Sequence, residues 1–130
     1  MPYTPNPQHR NRNFANKKSQ WSISIIDENN CYNAASDSHW EFNNCLWGLY
    51  LLPQSLAPQV LGLSPSPSLH SLQMAKFVGD ELGNWHGYPV AHWMSPYDKP
   101  GENILKDWCD RGIIRKVIFS KIRRGKKCVL

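Results

Sequence analysis

The residues best suited to chemistry lie together in the stretch GNWHGYPVAHW, residues 83–93. Imidazole titrates near neutrality, so His86 and His92 can act as acid and base, bind a metal or stack on a nucleobase. Gly87 adopts backbone angles closed to other residues and Pro89 fixes its own. The stretch is therefore predicted to be a turn held between two elements, with the histidines flanking it.

The same stretch carries three aromatic side chains, and two roles for them are open. Trp85, Tyr88 and Trp93 are suited to stacking on nucleobases. The alternative is that they are core aromatics with the histidines hydrogen-bonded at the core edge, because aromatics of this kind normally bury their rings and satisfy their polar tips.

An enzymatic interpretation is a metal-independent ribonuclease. His86 and His92 would be its acid and base pair, Asp98 or Glu81 would orient one imidazole, and C-terminal cations would hold the phosphate. Asp80 and Glu81 close a predicted helix at the end its dipole disfavours, and proximity to a histidine or to the basic tail would offset that. No phosphate-binding Gly-rich loop, nucleophile elbow or His-Glu-x-x-His motif is present.

The cysteines do not predict a metal site. The four of them form no Cys-x-x-Cys pair, and the spacing of Cys31, His39 and Cys45 matches no common zinc pattern. We therefore expect free thiols, no metal and no cofactor.

Charge is segregated along the chain. Residues 1–20 carry four basic side chains and no acid, residues 21–110 carry three basic side chains and all ten acids, and residues 111–130 carry eight basic side chains and no acid. The formal net charge is +5. Basic ends of this kind seek polyanions or pair with the acidic body of the same or a neighbouring chain.

The basic C-terminal segment gives the leading hypothesis, a nucleic-acid-binding protein. Its isoleucines stand four apart, as on a helix, but its β-branched residues favour a strand, and we expect a strand over 113–122. On a hairpin its cations would lie along one edge at spacings that can follow a phosphate backbone. These cations are Arg115, Lys116, Lys121, Arg123, Arg124, Lys126 and Lys127. The expected partner is DNA or RNA, of undetermined type.

The final quarter of the chain also carries a local resemblance. Trp108-x-x-x-Gly112-x-Ile114, followed by RRGK at 123–126, is similar to the helix and wing of excisionase-type winged helices. The preceding helix of that family should follow closely upstream, whereas a connector rich in Pro and Gly lies there in this chain. The resemblance does not assign the chain to the family, and it implies only that a wing hairpin could touch the DNA backbone.

A third class of function requires no catalytic residues. A non-catalytic adaptor or inhibitor subunit that docks on a larger protein would show an exposed Pro-rich loop, a polar arm and segregated charge. It accounts for the same residues as the other two hypotheses.

Chain length, composition and the distribution of apolar residues predict how many domains the protein has and where it is located. The chain has 130 residues, 41% of them hydrophobic, with six tryptophans to fill one core. The N-terminus has no basic start followed by an apolar run, and the longest apolar run is too short to span a bilayer. We expect a cytoplasmic protein without membrane contact.

Periodicity and turn residues predict the secondary structure of the N-terminal half of the chain. Residues 1–20, rich in Pro and Asn, are predicted to be a flexible basic arm. Alternation over 21–26 predicts a strand, followed by a turn at 27–30 and a return strand at 31–34. Residues 37–52 are predicted to begin as helix and continue as extended chain.

The same signals predict the secondary structure of the C-terminal half of the chain. Residues 53–67 are predicted to be a Pro/Ser-rich loop, 68–82 a helix capped by Ser68, and 102–111 a second helix ended by Gly112. A turn and short return strand are expected over 123–130. Residues 21–130 are therefore predicted to form a single α+β domain, a small sheet of N-terminal and C-terminal strands packed with two or three short helices.

Overall fold

The structure of the protein, a computed structural model, describes residues 2–130 and confirms the α+β class. Those residues form three α-helices and two antiparallel sheets. The helices are α1 (Ile25–Asp37), α2 (Glu102–Asp110) and α3 (Lys116–Arg123). The strands are β1 (Gln20–Trp21), β2 (Glu41–Phe42), β3 (Cys45–Gly48), β4 (Gly62–Leu63), β5 (Ser71–Leu72), β6 (Met74–Gly79) and β7 (Trp85–Val90).

The larger sheet has the order β2-β3-β6-β7, and the smaller one has the order β1-β4-β5. Side chains alternate along each strand, so the pairing of Trp47 with Lys76 and of Lys76 with Tyr88 places these three on one face, which we call the Lys76 face. Phe77 lies on the opposite face, where its ring centroid is 5.5 Å from that of Tyr32 on α1. The core therefore forms between α1 and the Phe77 side of the sheet.

The predicted strand over 21–26 and return strand over 31–34 are wrong beyond β1, because α1 occupies this part of the chain. The Ser24 hydroxyl accepts a hydrogen bond from the Asp27 amide at 3.0 Å and caps the helix. Asp27 and Glu28 lie in the first turn, where the helix dipole favours carboxylates. The predicted turn at 27–30 is thus the start of α1.

Residues 37–52 are extended late, as predicted, but not helical early, because α1 ends at Asp37. Strands β2 and β3 form a hairpin around Asn43 and Asn44, whose φ angles are 51° and 63°. Asparagine tolerates this left-handed region, and two-residue hairpin loops require it. The Pro/Ser-rich segment 53–67 contains one short strand, β4.

The predicted helix over 68–82 is wrong, because strands β5 and β6 lie there. Strand β6 is central in its sheet, between β3 and β7, and most of it is buried. A strand covered on both faces has a nearly continuous apolar sequence, which periodicity cannot distinguish from a buried helix. Leu69, with φ of 48°, does not fit a helix interior.

The predicted strand over 113–122 is also wrong, because most of it forms α3. Ile118 and Ile122, four residues apart, are buried on one side of this helix. Gly112 and Gly125, with φ of 78° and 70°, follow the ends of α2 and α3. The C-terminal segment therefore adds a helix and not a strand to the fold, and residues 123–130 do not form the turn and return strand of a wing.

The N-terminal segment, which we define as residues 2–21, is packed against the domain, whereas the sequence predicts an arm without fixed structure. Met1 lies outside the described residues. The Trp85 amide donates to the Pro2 carbonyl at 3.0 Å, and the Thr4 amide donates to the Trp85 carbonyl at 2.8 Å. Tyr3 and Trp85 form a parallel β-bridge. The segment thus begins by pairing with the outer edge of β7.

Farther along, side chains of the same segment cover the rest of that edge. Trp21 Nε1 donates to the Gly87 carbonyl at 3.3 Å, and Ser19 Oγ donates to the Pro89 carbonyl at 2.7 Å. Pro89 has no amide hydrogen to leave unpaired, which is why a proline is tolerated at a sheet edge. An edge covered in this way cannot pair with a second chain.

A buried carboxylate fixes the N-terminal segment to α1. Glu28 is 0% exposed. Its Oε1 accepts hydrogen bonds from Arg10 Nε at 3.0 Å and Arg10 Nη2 at 2.8 Å, and its Oε2 accepts one from the Tyr3 hydroxyl. Burial and this carboxylate raise the pKa of Tyr3 far above its usual value. Both partners come from the segment, so its position depends on this one charge.

We expect Arg10→Ala to lower the free energy of unfolding by about 3–5 kcal/mol, because it leaves a buried carboxylate without its cation. Glu28→Gln in the Arg10→Ala background should recover part of the loss, since it removes the unpaired charge. Urea denaturation measures both. Arg12→Ala, an exposed arginine of the same segment, is the control and should change stability by less than about 0.5 kcal/mol. Equal losses for the two arginines would contradict the role of the ion pair.

We expect Gly87→Ala to destabilise the sheet by about 1–3 kcal/mol, because a Cβ there would collide with the Phe77 ring and lie 2.8 Å from the Tyr3 hydroxyl. Gly79→Ala in the neighbouring strand is the matched control, since its nearest contact would be 3.4 Å, at the Trp85 ring. Thermal unfolding of the two variants compares them. A stable Gly87→Ala protein would mean that the Phe77 ring and the Tyr3 hydroxyl do not approach Gly87 this closely.

Candidate functional site

The C-terminal cations lie mainly on α3 and just after it. At 100° per residue, Lys116, Arg123 and Arg124 fall on the side of α3 opposite Ile118 and Ile122, and all three are exposed. We call these three residues, together with the exposed Lys126 and Lys127 that follow, the basic face. Arg115, also exposed, precedes the helix, and the partly exposed Lys121 flanks it.

The charge of the basic face is largely uncompensated within residues 2–130. Arg123 lies 3.8 Å from a carboxylate oxygen of Glu102. The other six predicted cations of the C-terminal segment form no ion pair with a described carboxylate. Arg124 instead donates from Nε to the Ser120 carbonyl at 3.2 Å. The acidic body of the chain therefore leaves six of these seven cations without an ion pair.

Of the three aromatics predicted to stack on bases, Trp93 lies beside these cations. Lys127 Nζ is 5.6 Å from the centroid of the partly buried Trp93 ring and 3.0 Å from His70 Nδ1. Trp85 is a core residue, 9% exposed and 6.1 Å from Tyr32 between ring centroids. Tyr88 packs on His9 and belongs to a different surface. The core interpretation thus holds for Trp85, and the three rings do not form one stacking platform.

The turn predicted around Gly87 and Pro89 is wrong, because residues 85–90 are strand β7. Gly83, with φ of 82°, and Asn84 lie in the tight loop before the strand, and His92 and Trp93 lie in a turn after it. Along this strand His86 and Val90 are already separated by about 13 Å. His92 lies beyond Val90, where its Nε2 donates to the Lys126 carbonyl at 2.7 Å. The two histidines are therefore not brought together as an acid and base pair.

His92 and Asp98 each have a structural partner. Burial lowers the pKa of His92, and its hydrogen bond holds the C-terminal tail against the sheet. Asp98 lies 3.7 Å from Lys76 Nζ, and burial raises the pKa of its carboxyl group. The hydrogen bonds of His86 are to other groups, so the predicted set His86, His92 and Asp98 is not assembled into one site.

His86 instead forms a pair with Asp80. Its Nδ1 is 2.8 Å from the Thr4 carbonyl and its Nε2 is 3.1 Å from Asp80 Oδ2. The hydrogen bond from His86 lowers the pKa of Asp80. The expected proximity of Asp80 to a histidine is thus present, on a hairpin and not at a helix end.

A groove lies between the Lys76 face and the N-terminal segment, with a cavity volume of about 520 Å³. Among its lining residues are His86, Tyr88, His9, Lys17 and Lys18. His9 is buried, although it lies in the segment predicted to be flexible. No local signal in the sequence could have indicated this groove, because its two walls are about 70 residues apart in the chain.

Other features of the described residues bear on the type of site. Within residues 2–130, no three histidine, cysteine or acidic side chains are grouped so that they could hold a metal ion. None of the described helices has the length and apolarity needed to cross a bilayer. All four cysteines are free.

We expect the Asp80 carboxylate to stabilise the fold above its ordinary pKa of 3.8, because the lowered folded-state pKa keeps it charged where the unfolded chain would protonate it. The stabilisation should be lost as the pH falls through that lowered value. Asp80→Asn keeps an oxygen for the Leu82 and Asn84 amides but removes the charge.

The measurement is urea denaturation of wild type and Asp80→Asn between about pH 6 and pH 2. Asp110→Asn, which breaks an exposed pair with Lys106, is the control and should have little effect. A difference between wild type and Asp80→Asn that persisted at the acid end would show that the charge is not its cause.

Comparison of the chain with models of known protein families, with curated proteins and with solved structures finds no match. Its function is therefore inferred from its own side chains and their placement.

Proposed function

We propose that the protein is an intracellular nucleic-acid-associated binding protein that contacts the phosphate backbone through its basic face. The observation that carries this proposal is the exposed, uncompensated charge of Lys116, Arg124, Lys126 and Lys127. Cations of this kind release counterions from a nucleic acid when they neutralise its phosphates, and that release supplies sequence-independent affinity.

The spacing on α3 suits a phosphate backbone. Lys116 and Arg123 are seven residues apart, which is about 10.5 Å along the helix. Phosphates along one DNA strand repeat about every 3.4 Å of axis, so these side chains would reach positions about three phosphates apart. Trp93, beside Lys127, supplies an aromatic surface next to the cations.

The local sequence of α3 also supports a role beyond folding. Arg115 and Lys116 stand at its start, where the helix dipole disfavours cations, and no side chain caps this end. In α1, by contrast, a serine cap and two acids stabilise the same position. A protein that places cations where they weaken its own helix gains from them elsewhere, and phosphate contact is such a gain.

The two alternative functions have less support. The ribonuclease hypothesis requires a close pair of imidazoles, and the two histidines have separate partners at separate places. The adaptor hypothesis draws part of its support from a polar N-terminal arm, and that segment is packed against the domain, where Pro2 and Thr4 exchange backbone hydrogen bonds with Trp85.

We expect Lys116→Gln/Arg124→Gln to weaken nucleic-acid binding and to reduce the slope of log K against log salt by about 2, since each phosphate contact contributes about 1. Fluorescence anisotropy with labelled single-stranded and double-stranded oligonucleotides, from about 50 to 200 mM salt, measures both quantities.

The control is Arg12→Gln/Arg111→Gln, which removes the same charge away from α3. Arg12 lies on the N-terminal segment, and Arg111 pairs with Asp107 at 2.9 Å. Its slope should stay close to that of wild type. Equal effects of the two double variants would show that net charge alone is responsible, and unchanged binding of Lys116→Gln/Arg124→Gln would refute the proposal.

A further inference from the structure

We infer that the groove between the N-terminal segment and the Lys76 face binds a nucleotide, with its phosphate at Lys17 and Lys18 and its base against Tyr88. This site lies on a different surface from the basic face and uses other residues, so it stands independently of the function proposed above.

The size of the groove suits such a ligand. Pockets for small molecules and cofactors typically measure about 300–1,000 Å³, and this cavity has about 520 Å³. One wall is strand β7, which is held by its pairing with β6. The other wall is the N-terminal segment, which the Glu28 contacts fix in place. The groove is therefore preformed and not a gap beside a loose arm.

The charged side chains around the groove favour an anionic ligand. Two carboxylates line it, and each already has a partner: Asp80 Oδ2 is 3.1 Å from His86 Nε2, and Asp98 Oδ1 is 3.7 Å from Lys76 Nζ. The exposed Lys17 and Lys18 form no ion pair with a described carboxylate. The uncompensated charge of the groove is thus positive, and two adjacent lysines are suited to a phosphate group.

The aromatic rings in the groove favour a ligand that contains a planar aromatic ring. Tyr88 and His9 are stacked, with centroids 5.1 Å apart and an angle of 14° between planes, and both line the cavity. His9 Nδ1 donates to the Ser19 carbonyl at 2.8 Å, which holds the buried His9 ring against Tyr88, and burial lowers the pKa of this histidine. The partly exposed ring of Tyr88 remains as the aromatic surface of the groove, and surfaces of this kind stack on nucleobases.

Together, a phosphate-binding pair of lysines and an aromatic surface in one cavity describe a nucleotide and not inorganic phosphate or a simple acid. The same chemistry is offered by a free mononucleotide and by the 5′-terminal nucleotide of a strand. The probes AMP, adenosine, inorganic phosphate and a 5′-phosphorylated single-stranded oligonucleotide separate these cases.

Isothermal titration calorimetry of the full chain with AMP tests the site. We expect AMP to bind with a Kd below about 1 mM, and adenosine and inorganic phosphate each to bind at least about tenfold more weakly. Lys17→Gln/Lys18→Gln should weaken AMP binding at least about tenfold, whereas Arg12→Gln/Arg111→Gln, with the same change in net charge, should leave it unchanged. The absence of AMP binding, or equal binding of adenosine and AMP, would refute the inference.

The aromatic half of the site has its own test. Tyr88→Leu should weaken AMP binding about tenfold or more, the value expected for losing one stacked base, and Tyr88→Phe should retain it. If Tyr88→Leu does not fold, wild-type amide spectra replace it: AMP should shift resonances of residues 85–90 and 17–19. Shifts confined to other parts of the chain would contradict the site. Competition between AMP and the oligonucleotide would indicate a strand end, and its absence a free nucleotide, both at the same groove.

Discussion

The burial of the Glu28 carboxylate is the constraint on which the rest of the structure depends. A charge removed from water is tolerated when it is paired and hydrogen-bonded, and here both partners, Arg10 and Tyr3, come from the N-terminal segment. That segment must therefore lie across α1 and along β7. Once there, it covers the exposed edge of the larger sheet through Trp21 and Ser19, and it becomes one wall of the groove over the Lys76 face.

The pairing of charges also connects the fold to its two candidate binding surfaces. Carboxylates of the acidic middle of the chain are used internally or in local pairs: Asp98 faces Lys76, Asp80 faces His86 and Asp107 faces Arg111. Ion pairs reach the basic ends at Arg10, Arg111 and Arg123. The other cations of the basic face and the two lysines of the groove form no ion pair with a described carboxylate and keep their charge available, which is the property that both proposals use.

Local sequence predicts helix α2 closely but misassigns other segments, including the helix predicted over 68–82 and the strand predicted over 113–122. Helix α2 was predicted within a residue, because Gly112 ends an amphipathic stretch and takes a positive φ. Segment 113–122 fits both helix and strand, and the burial of Ile118 and Ile122 on one side decided for a helix. The apolar run of β6 was taken for a helix, because a strand between two neighbours is buried on both faces and loses its alternation.

The sequence by itself determined the α+β class, the single domain's supply of core residues and the excess of base at the C-terminus, because these depend on composition and short-range pattern. The tertiary structure decided which histidine meets which acid, that His9 is buried although its segment is predicted to be flexible, and that Lys17 and Tyr88 share one cavity. These relations join residues far apart in the chain. They arise from sheet pairing and from one buried ion pair, and neither leaves a local periodic signal.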